Sequence, residues 1–118
     1  AIAFTSLGMK RYLSVIKHVA AVIGNSSSGI IEAPSLGIPT LNIGDRQKGR
    51  VTCDSIISCY SDKDSIRKGL KKVLSEEMAE IAKEVRNPYE KKKTAQSIFN
   101  VIKGYPLNDL AQKSFYNL

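Results

Sequence analysis

Apolar positions along the chain switch between two periods. Tyr12, Leu13, Ile16 and Ala20 recur at helical spacing, and the continuous run Ala21-Val22-Ile23 reads as a buried strand ending at Gly24. After a serine-rich turn, Ile30 to Leu36 predicts a short helix stopped by Gly37 and Pro39. Thr40-Leu41-Asn42-Ile43 reads as the next strand and Ser55-Ile56-Ile57-Ser58-Cys59 as a third, separated by a polar loop from Gly44 to Asp54. Ile2 to Phe4 is expected to be the remnant of a fourth. Helix then dominates. Asp62 is placed to cap a segment in which Ile66, Leu70, Val73 and Leu74 share one face, with Lys and Arg on the other. Met78, Ile81 and Val85 repeat that pattern until Asn87-Pro88 breaks it. Ala95, Ile98, Phe99 and Ile102 mark a last amphipathic helix, ended near Gly104 and Pro106; the tail from Leu107 to Leu118 has no clear period.

Strands alternating with helices predict parallel βαβ units, hence an α/β fold with a Rossmann-like parallel sheet flanked by helices. A length of 118 residues suits a single domain able to bury about two-thirds of its unfolded surface. The start, Ala1-Ile2-Ala3-Phe4, has no initiator Met and no basic n-region, so it reads as a cut end within a longer protein rather than a signal peptide. No apolar run approaches the roughly 20 residues of a membrane helix. No membrane partner is expected, and the expected location is cytoplasmic.

Charge changes the picture only briefly. Eighteen Lys and Arg against 11 Asp and Glu give a formal +7, which invites a nucleic-acid reading. The distribution argues against it, because Arg67, Lys68, Lys71 and Lys72 are followed at once by Glu76, Glu77, Glu80 and Glu84. Mixed signs of this kind describe a solvated helix surface. Cys53 and Cys59 lie outside any metal-binding spacing, and His18 is the single histidine, so neither a metal nor another cofactor is expected. The two thiols read as small, unpaired, buried groups.

Ligands of parallel sheets bind beyond the carboxyl ends of the strands, which directs attention to two turns. The first is Gly24-Asn25-Ser26-Ser27-Ser28-Gly29. Glycines admit close backbone approach, serine hydroxyls donate to oxygens, and the amides opening the next helix carry partial positive charge: a phosphate seat. It is neither a Walker loop nor a GxGxxG fingerprint. Plain helix capping is the alternative, but three serines between glycines exceed what a cap requires. Glu32 has two open readings: a capping-box partner in the first helical turn, or an acceptor for two vicinal ribose hydroxyls. The second turn, Gly44-Asp45-Arg46-Gln47-Lys48-Gly49-Arg50, carries three cations. Arg46, nearest the strand end, is the first choice for a bidentate phosphate clamp, while Arg50 serves equally well as a structural residue.

These same stretches carry a family resemblance. Gly24-Asn25-Ser26-Ser27-Ser28-Gly29-Ile30-Ile31-Glu32-Ala33-Pro34, then Gly37-Ile38-Pro39-Thr40-Leu41-Asn42-Ile43-Gly44 and Arg46-Gln47-Lys48-Gly49-Arg50, resemble the UDP-N-acetylglucosamine 2-epimerase family, and its hydrolysing branch in particular. The likeness is dense from Phe4 to Arg50, thins through the helices and returns weakly at Lys113-Ser114-Phe115-Tyr116. The resemblance implies a GT-B architecture of two Rossmann-like domains with a UDP-sugar between them, this chain being most of the carboxyl-terminal half. Residues 1–104 would then be the UDP-binding domain, and 105–118 a tail packing on it or reaching toward the amino-terminal domain. By the same match Ser26 and Ser27 contact the diphosphate, Gly29 presents backbone, Glu32 takes the ribose hydroxyls, Arg46 lies against the UDP, and Leu7 approaches the uracil through its backbone. The family's catalytic residues are expected in the other domain, so this chain alone is expected to be inactive.

The chemistry implied is proton abstraction at sugar C2 with anti elimination of UDP, giving 2-acetamidoglucal. Addition of water then releases N-acetylmannosamine, or a related amino sugar epimerised at C2, for sialic acid and nonulosonate synthesis. The expected partners are UDP and a UDP-amino-sugar, with a homo-oligomer of the full-length protein also expected. Two other readings stand beside this one: the donor-nucleotide domain of a GT-B glycosyltransferase, and a nucleotide-binding module without catalysis.

Overall fold

The computed structural model describes residues 1–106. The expected tail from Leu107 onward, with its weak family likeness, lies outside the described residues. Three strands form one sheet in the order β1-β2-β3: β1 Val22–Gly24, β2 Thr40–Ile43 and β3 Ile56–Cys59, all parallel. Five helices accompany them: α1 Gly8–Ile16, α2 Ser28–Ile31, α3 Lys63–Val73, α4 Glu76–Glu84 and α5 Thr94–Gly104. The α/β, Rossmann-like class expected from the alternation of periods is the class observed.

The strands arise where β-branched residues cluster (Val22, Ile23, Thr40, Ile43, Ile56, Ile57), because branching at Cβ suits the extended backbone. Strand β2 is central and almost wholly buried, as expected of a strand covered on both faces. The two glycines that allow this cover are specific. A Cβ on Gly29 of α2 would lie 2.6 Å from Thr40 Cγ2, and one on Gly69 of α3 would lie 2.5 Å from Leu41 Cδ1. Successive strand residues point to opposite faces, so α2 and α3 press on opposite sides of β2. Ile16, Ile30, Ala33, Leu41, Val73, Met78 and Ala82 make up the core.

Helix ends follow local chemistry. Asp62 accepts from the backbone N–H groups of Asp64 (3.1 Å) and Ser65 (2.9 Å), capping α3 as its position predicts. Ser75 caps α4, accepting from Met78 N–H at 3.2 Å while its hydroxyl donates to Lys72 O at 2.8 Å.

Several expectations are corrected. The helix placed at Ile30 to Leu36 begins two residues earlier and divides into α2 and a 3-10 turn, Pro34–Leu36. Pro34 has no N–H to donate back to Ile30, which ends the α-helical ladder. Ile2 to Phe4 forms no strand and is exposed, since no strand among the described residues lies beside it. Ala20 falls beyond the end of α1. Leu74 closes α3 as its C-cap and is 56% exposed rather than joining the apolar face.

Candidate functional site

The serine turn joins the carboxyl end of β1 to α2. Gly29 N–H donates to Ser26 O at 3.2 Å, and Ser28 N–H donates to Ser26 Oγ at 3.4 Å. The turn therefore uses internally part of the amide array expected to face an anion. The amides of Ser26 and Ser27 have no acceptor among the described residues. Gly29 is buried against Thr40, so close helix–sheet packing explains its lack of a side chain independently of any ligand.

Glu32 stands at the C-cap of α2, not in a capping box. Ser27, the N-cap, makes no side-chain cap bond, and Glu32 Oε2 is buried without a hydrogen-bond partner, as is Ser28 Oγ. A buried carboxylate oxygen without a donor is costly, since it has surrendered water and gained nothing in exchange. Glu32 and Ser28 line a cavity of about 610 Å³ whose other wall is built by Phe4, Leu7, Tyr12 and Leu13. Leu7 and Glu32, 25 positions apart (32 − 7), thus meet on one cavity. Helix α1 brings Tyr12 and Leu13 to this cavity, and the end of the serine turn and α2 bring Ser28 and Glu32.

The loop after β2 is tied to the serine turn by a residue that sequence reasoning passed over. Gln47 is 6% exposed, and its Nε2 donates to Asn25 O at 2.7 Å. This bond fixes the two turns side by side. Arg46, the residue before it, is exposed and lines neither the Leu7–Glu32 cavity nor its neighbour. That neighbour, about 750 Å³, lies over the carboxyl ends of β2 and β3, with Lys48, Arg50, Lys68 and Lys72 among its lining residues. Only Gln47's place within the Arg46–Arg50 stretch signalled it; a buried glutamine linking two loops leaves no periodic trace.

Electrostatics at this end of the sheet are set by few groups. Hydrogen bonds from the Ser65 hydroxyl and backbone hold the Asp62 carboxyl below its ordinary range. Burial pushes the Cys59 thiol up, and the Asp62 charge adds to that. Cys59 and Cys53 are both free thiols. Among the described residues no three His, Cys, Asp or Glu side chains gather as a metal site, and no helix is long and apolar enough to cross a membrane.

A parallel sheet with helices on both faces, and a polar turn at its carboxyl edge, defines the class as Rossmann-like α/β. The model of the family described as UDP-N-acetylglucosamine 2-epimerase matches residues 1–103, and the chain belongs to that family. It is 38% identical over 114 residues to the polysialic acid biosynthesis protein P7 of Escherichia coli, covering 96% of this chain and 29% of that protein. It is 56% identical over 54 residues to the hydrolysing GDP/UDP-N,N'-diacetylbacillosamine 2-epimerase of Campylobacter jejuni, covering 46% of this chain and 14% of the relative. With the hydrolysing UDP-N,N'-diacetylbacillosamine 2-epimerase of Legionella pneumophila it shares 31% identity over 97 residues, 82% of this chain and 25% of the relative. The chain spans less than a third of the length of each of these relatives.

Proposed function

We propose that this chain is the UDP-holding, carboxyl-terminal half of a GT-B enzyme, a hydrolysing UDP-N-acetylglucosamine 2-epimerase or one acting on a related UDP-amino-sugar. The observation that carries the reading is Glu32. Its side chain caps nothing and has a buried oxygen in want of a donor, and it shares a cavity with Leu7 and Ser28. A ribose with two vicinal hydroxyls supplies the donors such a carboxylate lacks. Family membership and relatives whose names specify hydrolysing 2-epimerases support the same reaction class.

In this reading the serine turn receives the diphosphate through Ser26, Ser27 and the backbone beside Gly29, and Leu7 meets the uracil. Arg46 approaches the phosphates from the loop after β2. The work of this half is electrostatic. As the bond from sugar C1 to the phosphate oxygen breaks, charge grows on UDP, and the amides and hydroxyls of the serine turn, joined by the guanidinium of the exposed Arg46, stabilise it. The proton leaves C2 to a base in the other half. Water then adds its hydroxyl at C1 and a proton at C2 of the resulting glucal, giving the epimerised free sugar.

The test is calorimetric titration of UDP into the complete protein. Glu32→Ala is expected to weaken UDP at least about tenfold, since a hydrogen bond to a charged group is at stake. Its melting temperature should not fall, because the variant loses no cap. Arg46→Lys is expected to weaken UDP as well, since a point charge does not reproduce the fork. If both variants bind UDP normally, the assignment fails.

A further inference from the structure

The linker between α4 and α5 reads in the sequence only as a helix break. In the structure it holds Asn87, a polar residue just 3% exposed in a stretch whose neighbours Pro88, Tyr89 and Glu90 are exposed. Burying an amide is unfavourable unless its groups are paired, and here they are. Asn87 Nδ2 donates to Ile31 O at 2.7 Å and to Ser35 Oγ at 2.6 Å, while Oδ1 accepts from Tyr89 N–H at 3.0 Å. A backbone carbonyl only accepts, so the bond to Ile31 fixes which end of the amide is nitrogen. Ile31 is the last residue of α2, and its carbonyl is one that the helix leaves without an internal partner. The next residue is Glu32. Two positions after Asn87, the Tyr89 hydroxyl donates to Val51 O at 3.0 Å, at the end of the loop that carries Arg46, Lys48 and Arg50.

We propose that Asn87 and Tyr89 are positioning residues: Asn87 holds the end of α2 that presents Glu32, and Tyr89 holds the cationic loop, so one short segment ties down both the ribose acceptor and the loop beside the serine turn. This rests on the reading of Glu32 as a ribose acceptor given above. Capping alone does not explain both bonds. A cap on α2 accounts for Asn87 but gives no reason for a second tether, from the same segment, to a loop 38 residues away.

The two residues have distinct signatures in the complete protein, read by comparing UDP with 2′-deoxy-UDP below the melting temperature. The wild-type protein is expected to prefer UDP by about tenfold, the yield of a ribose hydroxyl on a carboxylate. Asn87→Ala brings that preference to within about threefold of unity, because a displaced Glu32 loses the ribose and little else. Tyr89→Phe weakens both nucleotides by a similar factor, about two- to fivefold, and leaves the preference intact. Asn87→Ala that weakens both ligands equally, or neither, overturns the positioning role of Asn87. Tyr89 is exposed, so Tyr89→Phe supplies a variant expected to fold in any event. If it leaves both affinities unchanged, the proposal falls whatever Asn87→Ala does. Equal wild-type affinities overturn the assignment of Glu32 to the ribose instead, and Tyr89→Phe then still decides whether the segment holds the loop.

Discussion

Helices α3 and α5 are each 11 residues long and each repeats apolar residues at helical spacing, yet one is built into the core and the other is not. In α3, Gly69 and Val73 are buried, and the bare Cα of Gly69 lets the helix settle against Leu41. In α5 no residue is buried; Ile98, Phe99, Val101 and Ile102 are all more than half exposed. Entry into the two helices differs as well. Asp62 caps α3 through two backbone amides, whereas the N-cap of α5 is Lys93, whose φ of 59° is left-handed and whose side chain caps nothing. Periodicity identifies the face a helix offers. Whether that face is covered depends on a partner with a matching surface, and the sheet supplies one to α3 alone.

The contrast can be broken or sharpened by substitution. The largest effect is expected at the contact under α3. Leu41 is fully buried, so Leu41→Ala should cost about 2–5 kcal/mol in a denaturant melt, through lost burial and the cavity left behind. A smaller effect belongs to the α3 cap. The folded-state value of Asp62 is depressed, so its contribution is present above the ordinary carboxylate value and disappears as pH falls through the depressed one. Acid titration followed by circular dichroism should therefore show a low-pH loss of stability that is reduced in Asp62→Asn. The smallest effect is expected in α5. Phe99→Ser should change the stability of this chain by no more than about 0.5 kcal/mol, the range of surface substitutions. A large loss there would mean that α5 is covered after all.

Much of the fold was legible because it is local. Strand β2 runs from Thr40 to Ile43 as its apolar run predicts, and Asp62 caps α3 as its position predicts. Errors arose where a neighbour decided the outcome. Ile2 to Phe4 has the composition of a strand and, among the described residues, no strand to pair with, and Leu74 falls where α3 stops. Of the residues the family resemblance assigns to one ligand, Leu7 and Glu32 come together on one cavity, beside Ser28, whereas Arg46 does not reach it. Gln47 and Asn87 were not legible. Each is a single buried amide whose partners lie 22 and 56 residues away, and neither periodicity nor turn chemistry reports on contacts of that range.

Among the described residues strand β1 pairs with β2 on one side only, and Ile23 at its centre is half exposed. Its other flank carries unmatched backbone donors and acceptors in extended geometry, a template for any chain that can lie alongside it. A polypeptide with such a border is prone to zip onto its own copies. Added charge near Ile23, or a strand supplied in cis, is the remedy that this exposed border calls for.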